Sequence, residues 1–365
     1  MITSFRIRGY RGFDDFELSE LRQINLLVGE NNGGKTSILE AIHLLHSQGS
    51  PAAFRSVMDR RGEVHREDNE DRRTQTHYDV CHLFQQHRIA QGTWFRLESS
   101  GSSVNNWLNV RVLVPDDYEH GDTYSTDFRD KFDGSNVLFF EGSPAPVIDA
   151  LPLSPKNGLS ARQLDRFERN VDDNQCPVFF VTTESQSAEF LARHWKGVAL
   201  TEEEDLLLEA LQVLEPRVER IAVLGERPSS RSSKSGVIVR LKGERTPVPL
   251  GSMGDGMWRM LTLALAIVRS RNGVLLVDEI DTGLHHTAMS DMWRLVIRTA
   301  CRLDVQVFAT THSLDCVNSL ADVIAEQDTP SESVTIQRIE KERSRSIAYS
   351  ENEMVVAANR GTEMR

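Results

Sequence analysis

Gly29-Glu30-Asn31-Asn32-Gly33-Gly34-Lys35-Thr36 decides how this chain is read. The stretch matches G-x-x-x-x-G-K-[ST] without a mismatch, and its neighbours supply the context that the pattern requires. Ahead of it, Ile24-Asn25-Leu26-Leu27-Val28 reads as a short buried strand; behind it, Ile38, Ala41, Ile42 and Leu45 recur at helical spacing. A glycine-rich loop between a strand and a helix lets backbone N–H groups close around α- and β-phosphates, while the helix presents its positive end. Lys35 then supplies a cation to the β- and γ-oxygens and Thr36 a hydroxyl to magnesium.

Three further stretches follow in a meaningful order. Val274-Leu275-Leu276-Val277-Asp278-Glu279 is a four-residue apolar run ending in two carboxylates. A buried strand there delivers Asp278 to a metal shell and places Glu279 to orient and deprotonate a water that attacks the γ-phosphate. Upstream, Gly251-Ser252-Met253-Gly254-Asp255-Gly256 opens a helix from Met257 to Val268 and makes a second anion site at a helix N-terminus. One chain has no second triphosphate to fill it, so Ser252 and Gly254 are expected to cap the γ-phosphate held by another subunit; a plain N-cap at Ser252 or Asp255 is the simpler alternative. Downstream, Phe308-Ala309-Thr310-Thr311-His312-Ser313 reads as a strand delivering His312, which can hydrogen-bond a γ-phosphate. With a helix from Ala288 to Leu303, this half alternates helices and strands, which predicts a mainly parallel sheet.

This ordered set resembles ABC-type ATPases, with Walker A, signature, Walker B, D-loop and switch-histidine motifs. More narrowly, GENNGGKTSILEAI, LGSMGDGMWRMLTLALAI, LLVDEIDTGLHH and FATTHSLDC resemble the OLD-like AAA ATPases of bacterial defence systems, near relatives of SMC and RecF heads. HLFQQHRI and FLARHWKGVALTEEEDLLLEALQVLEPRVERI extend the likeness over most of the chain. The resemblance implies an α/β ABC-type ATPase head with an inserted α+β lobe, and ATP and Mg2+ as ligands. It implies nucleotide contacts from Gly29, Asn32, Gly33, Gly34, Lys35, Thr36 and Ser37, with Ser252 and Gly254 as signature residues. Thr36, Asp278 and either Gln85 or Gln86 of the Q-loop would hold the metal, and Glu279, His312 and Lys35 would carry the chemistry. Tyr10-Arg11 falls where related heads touch base or sugar, so Arg11 joins the nucleotide set; an exposed turn explains the pair equally well. The D-loop run Thr282-Gly283-Leu284-His285 has His285 where many ABC proteins have aspartate.

The rest of the sequence bounds the setting. At 365 residues and 39% apolar content the chain can build a real core. A net charge of -12 argues against bulk electrostatic coating of nucleic acid, leaving local basic patches such as Arg227 to Ser235. The four cysteines form no C-x-x-C pair and read as free, mostly buried thiols rather than a zinc site. No membrane-length apolar run and no signal peptide are visible, so a cytoplasmic protein is expected.

Residues 1–95 and 246–365 are expected to form the two parts of the head, with 96–245 inserted between them. That insertion shows no heptads, unlike SMC coiled coils, and too few residues follow His312 for the TOPRIM nuclease of OLD proteins. A GTPase is disfavoured because no N-K-x-D motif occurs. The resulting expectation is a homo-oligomer of heads acting as sensor or scaffold for a separate effector, a nuclease or toxin, with nucleic acid not required. A RecF- or SMC-like DNA-binding ATPase is the alternative; a transporter motor ranks behind both.

Overall fold

The computed structural model describes residues 1–68, 74–101, 105–119, 125–132, 134–154, 158–168, 178–182, 188–224, 236–326, 330–361 and 363–364. The basic tip Arg227 to Ser235, Cys176 and the charged stretch 69–73 therefore lie outside the described residues. By contacts the chain divides into two compact units, Met1–Glu20 with Thr36–Gln175 and Lys341–Ser346, and Leu21–Lys35 with Cys176–Glu340 and Ile347–Arg365. This division cuts the expected insertion, residues 96–245, near its middle.

The second unit is built on a six-stranded sheet. Its order is Val178–Val181, Val274–Val277, Gln306–Thr310, Ile24–Val28, Val334–Arg338 and Ile347–Tyr349. The first five strands are parallel and the last antiparallel. Ile24–Val28, Val274–Val277 and Gln306–Thr310 are buried at every position. Continuous apolar runs suit a parallel sheet whose two faces are both covered, which is why these strands do not alternate.

Asp255–Arg269 is buried along Met257 and Arg259 to Val268, as a predominantly apolar sequence interrupted by Arg259 and Thr262 allows. Met289–Leu303 ends on Asp304 in a left-handed conformation (φ 52°), and Leu314–Ala325 starts on Ser313, whose side chain accepts from Cys316 N. A three-stranded sheet, Val218–Leu224, Gly236–Leu241 and Val248–Pro249, completes the unit.

The first unit is organised around antiparallel pairing, with strands in the order Phe13–Leu18, Ile2–Tyr10, Trp94–Gly101, Asn106–Leu113, Val137–Ser143 and Ala150–Pro152. A smaller sheet joins Gly158–Ser160, Thr74–Asp79 and Val64–Asp68. The helix Pro51–Arg61 has Ser50 as N-cap, proline at its first position and Gly62 (φ 65°) after its end, each the residue type that its position favours. The buried charges of Arg11 and Glu40 in this unit are paired. Glu40, fully buried, takes Arg11 at 2.8 Å and Arg61 at 3.0 Å, and Arg11 also reaches Glu63 at 2.5 Å. Such pairing is what makes interior ions tolerable.

Candidate ATPase site

Three loops leave the second unit's sheet at the C-terminal ends of neighbouring parallel strands. The Gly29–Lys35 loop follows Ile24–Val28, Asp278-Glu279 follows Val274–Val277, and Thr311-His312 follows Gln306–Thr310, the strand between them. The register Thr310↔Leu27 and Val277↔Ala309 brings these ends level. Ligands of open α/β sheets bind in such crevices.

The glycine loop is fixed by close approach. Gly29 has φ 133°, and a Cβ there would stand 2.3 Å from the Ile339 carbonyl oxygen. No L side chain fits. Asn32 (φ 63°) and Gly34 (φ 91°) take left-handed turns, which asparagine and glycine tolerate best. Lys35 is 4% exposed, and its Nζ donates to the carbonyls of Gly29 and Glu30 at 2.8 Å each. Burial lowers its pKa to about 8, opposed by the charges of Asp278 and Glu279. The lysine and the two carboxylates thus share one electrostatic site.

Thr310 ties the carboxylate pair together: its Oγ1 donates to Asp278 Oδ1 at 2.7 Å and accepts from the Glu279 backbone N–H at 2.8 Å. Glu279 sits at φ 48°, and its Oε2 accepts from the Thr282 hydroxyl at 3.2 Å. Thr311 holds Asp281 at 2.6 Å. His312 is exposed on the same loop.

Reading the sequence missed Arg259, which is fully buried within Asp255–Arg269. Its guanidinium donates to the carbonyls of Ile280 (3.2 Å), Asp278 (3.1 Å), Glu279 (2.5 Å) and Thr182 (3.4 Å). Burial lowers its pKa to about 10, against the raising charges of Asp281, Asp278 and Glu279. The only available signal was a lone arginine among apolar positions, MWRMLTLALAI.

Ser252 and Gly254 belong to this unit and are exposed, on the turn Leu250–Met253 and at the start of Asp255–Arg269; Gly254 has φ 100°. Neither Ser252 nor Asp255 caps the helix, whose N-cap is Gly254 with no side-chain bond. The simpler reading as an N-cap is therefore not realised.

The remaining expected residues fall in the first unit. Thr36 follows Lys35 within the helix Lys35–His46, and Ser37 accepts from Arg61 at 2.9 Å. Gln86 is exposed at φ 64°, whereas Gln85 is half-buried and lines a cavity of about 490 Å³ with Arg8, Asp14 and Trp94. Tyr10 and Arg11 are not an exposed turn. Tyr10 is fully buried, and Arg11, 7% exposed, has its guanidinium committed to Glu40 and Glu63.

A glycine-rich loop, a carboxylate pair and a histidine on adjacent parallel strand ends form the head of a P-loop ATPase of ABC type. The chain belongs to the family described as "AAA domain, putative AbiEii toxin, Type IV TA system", whose model matches residues 24–317. It is 20% identical to an "ATP/GTP phosphatase" of Helicobacter pylori, over 90% of each chain. A shorter stretch of 56 residues is 43% identical to the "DNA replication and repair protein RecF" of Stutzerimonas stutzeri, covering 15% of this chain and 14% of that one. Among solved structures, an SMC head bound to the C-winged helix domain of ScpA aligns with a TM-score of 0.51 at 13% identity, over 96% of this chain and 98% of that one, and so shares the fold.

Proposed function

We propose that this ATPase binds ATP with magnesium, completes its active site only when a second copy docks, and uses that docking to hold or release a separate effector. The carrying observation is the exposed Ser252–Gly254 turn, a helix N-terminus with no side-chain cap, in a chain whose own phosphate loop is already complete. Ser252 and Gly254 of one subunit would cap the γ-phosphate bound by Gly29, Asn32, Gly33, Gly34 and Lys35 of the other.

In this reading Glu279 takes the proton of the attacking water, and Lys35 neutralises the β- and γ-oxygens. The hydroxyl of Thr36 and the carboxylate of Asp278, with a Q-loop glutamine, are hard oxygen donors of the kind magnesium takes. The hydrogen bond from the Thr310 hydroxyl to Asp278 Oδ1 supports this reading. Bound there, the ion would neutralise charge developing on the phosphates. His312 would sense the γ-phosphate.

The effector, a nuclease or other toxic enzyme, and a role in defence against phage follow from the likeness to OLD-like ATPases. No described helix is long and apolar enough to cross a membrane.

The test is co-purification with the products of neighbouring genes, in the wild type and in Glu279→Gln, together with cleavage assays on the isolated chain. A partner whose retention changes with ATP, and no cutting of DNA or RNA by the chain alone in magnesium or manganese, supports the reading. Cleavage by the chain alone contradicts it. Tight ATP-dependent DNA binding without a protein partner points instead to the RecF-like role. Comparing ATP with GTP as substrate checks the base preference, given the name of the Helicobacter relative.

A further inference from the structure

Directly ahead of Gln85 the chain reads Asp79-Val80-Cys81-His82-Leu83-Phe84 and continues to His87. Val80–Leu83 is a short 3-10 turn capped by Asp79, whose Oδ1 accepts from Cys81 N at 3.2 Å. The cap gathers three metal-ligand types on one turn: one ligand atom each from Asp79, Cys81 and His82 lies within 4.8 Å of the others.

The histidine geometry carries the argument further. His82 Nε2 is 3.6 Å from Asp79 Oδ2, too far for a hydrogen bond. It is close to the edge of a tetrahedron whose bonds to a shared ion measure about 2.1 Å. The other ring nitrogen, Nδ1, is 3.2 Å from His87 Nδ1. Two imidazole nitrogens at that separation share one proton. When His82 donates and His87 accepts, the ring's lone pair is left on Nε2, the nitrogen 3.6 Å from Asp79 Oδ2. That is the tautomer a ligating histidine needs, fixed by an outer partner. His87 reaches this position through two successive left-handed residues, Gln86 (φ 64°) and His87 (φ 53°).

We propose that Asp79, Cys81 and His82 bind one divalent cation of the zinc class, with a water as fourth ligand and His87 orienting the His82 ring. Thiolate, imidazole and carboxylate together favour a borderline-soft ion over magnesium. The nearby Arg11 guanidinium, which donates to the His82 carbonyl at 3.4 Å, is already balanced by Glu40 and Glu63. The site lies within the first unit and does not depend on the composite-site reading.

Cobalt is the probe. The metal-free full chain, titrated with Co2+, is expected to take up a single equivalent that gives a thiolate-to-cobalt charge-transfer band and tetrahedral d–d bands, both bleached by Zn2+. The phosphate loop contains no thiol, so cobalt replacing magnesium there gives no such band. Cys81→Ser should abolish the charge-transfer band. His82→Gln should weaken cobalt binding at least about tenfold, and His87→Ala should weaken it roughly tenfold. Far-ultraviolet dichroism matching the wild type separates loss of a ligand from loss of fold, and His82→Gln carries the test where Cys81→Ser does not fold. Absence of the charge-transfer band from the wild type, or a band that survives Cys81→Ser, overturns the proposal.

Discussion

Glu279 is the residue on which turnover should depend while binding does not. Glu279→Gln keeps the hydrogen-bonding shape and removes the base, so nucleotide affinity should change by less than about threefold while kcat falls by about 10² to 10⁴. Phosphate release and equilibrium binding measure the two; near-normal turnover would remove Glu279 from the mechanism. Lys35 offers a second test, because burial has lowered its pKa to about 8. Below that pH the folded protein holds a charged lysine at a cost; above it the amine is neutral, so this cost is relieved as pH rises from about 8 towards the ordinary lysine value. Phosphates restore the charged form. Nucleotide binding at pH 9 should therefore take up protons, seen as a dependence of calorimetric heat on the buffer's ionisation enthalpy that Lys35→Ala abolishes. Arg259 gives a third. Arg259→Met strands buried carbonyls and should cost at least about 2 kcal/mol in denaturant unfolding. Arg259→Lys keeps the charge without the planar fork, and should lower kcat more than it raises KM.

At the scale of elements, the phosphate loop ranks its glycines by what surrounds them. An alanine methyl at Gly29 meets a carbonyl at 2.3 Å with φ 133°, whereas at Gly33 it meets the Glu30 carbonyl at 3.1 Å. Gly29→Ala should therefore abolish nucleotide binding and lower the melting temperature, while Gly33→Ala weakens binding and leaves the fold; equal effects would argue against this geometry. The strands and helices around this loop were legible in the sequence to within a residue or two. The helix expected from Met257 to Val268 runs Asp255–Arg269, and the helix expected from Ala288 to Leu303 runs Met289–Leu303. Long apolar runs between sharp turns leave few alternatives. The antiparallel sheet of the first unit was not legible. Ile2–Tyr10 pairs with Trp94–Gly101 across a long stretch of sequence, and arginines on the strands cover aromatics, Arg96 over Trp107 at 4.5 Å and Arg111 over Phe139 at 5.1 Å. Charged residues shielding rings in this way break the alternation that marks a strand. Arg11 misled for a related reason, since its partners Glu40 and Glu63 lie far from it in sequence and only the fold shows them.

For the whole molecule, the composite site predicts complementation. Lys35→Ala and Ser252→Arg chains, each inactive alone, should recover part of the ATPase activity when mixed, because a mixed dimer places both lesions in one interface and leaves the other intact. Crosslinking or light scattering with and without ATP on Glu279→Gln supplies the companion measurement, and no change in subunit contacts would defeat the trans arrangement. The same helix that exposes Gly254 at its start grips the Asp278–Ile280 carbonyls through Arg259. Grafting Gly251–Arg269 from a distant homologue should thus yield a dead chimera, and transplanting the Asp278–Ile280 stretch alongside it should revive the enzyme, so the two segments form one inheritable cassette.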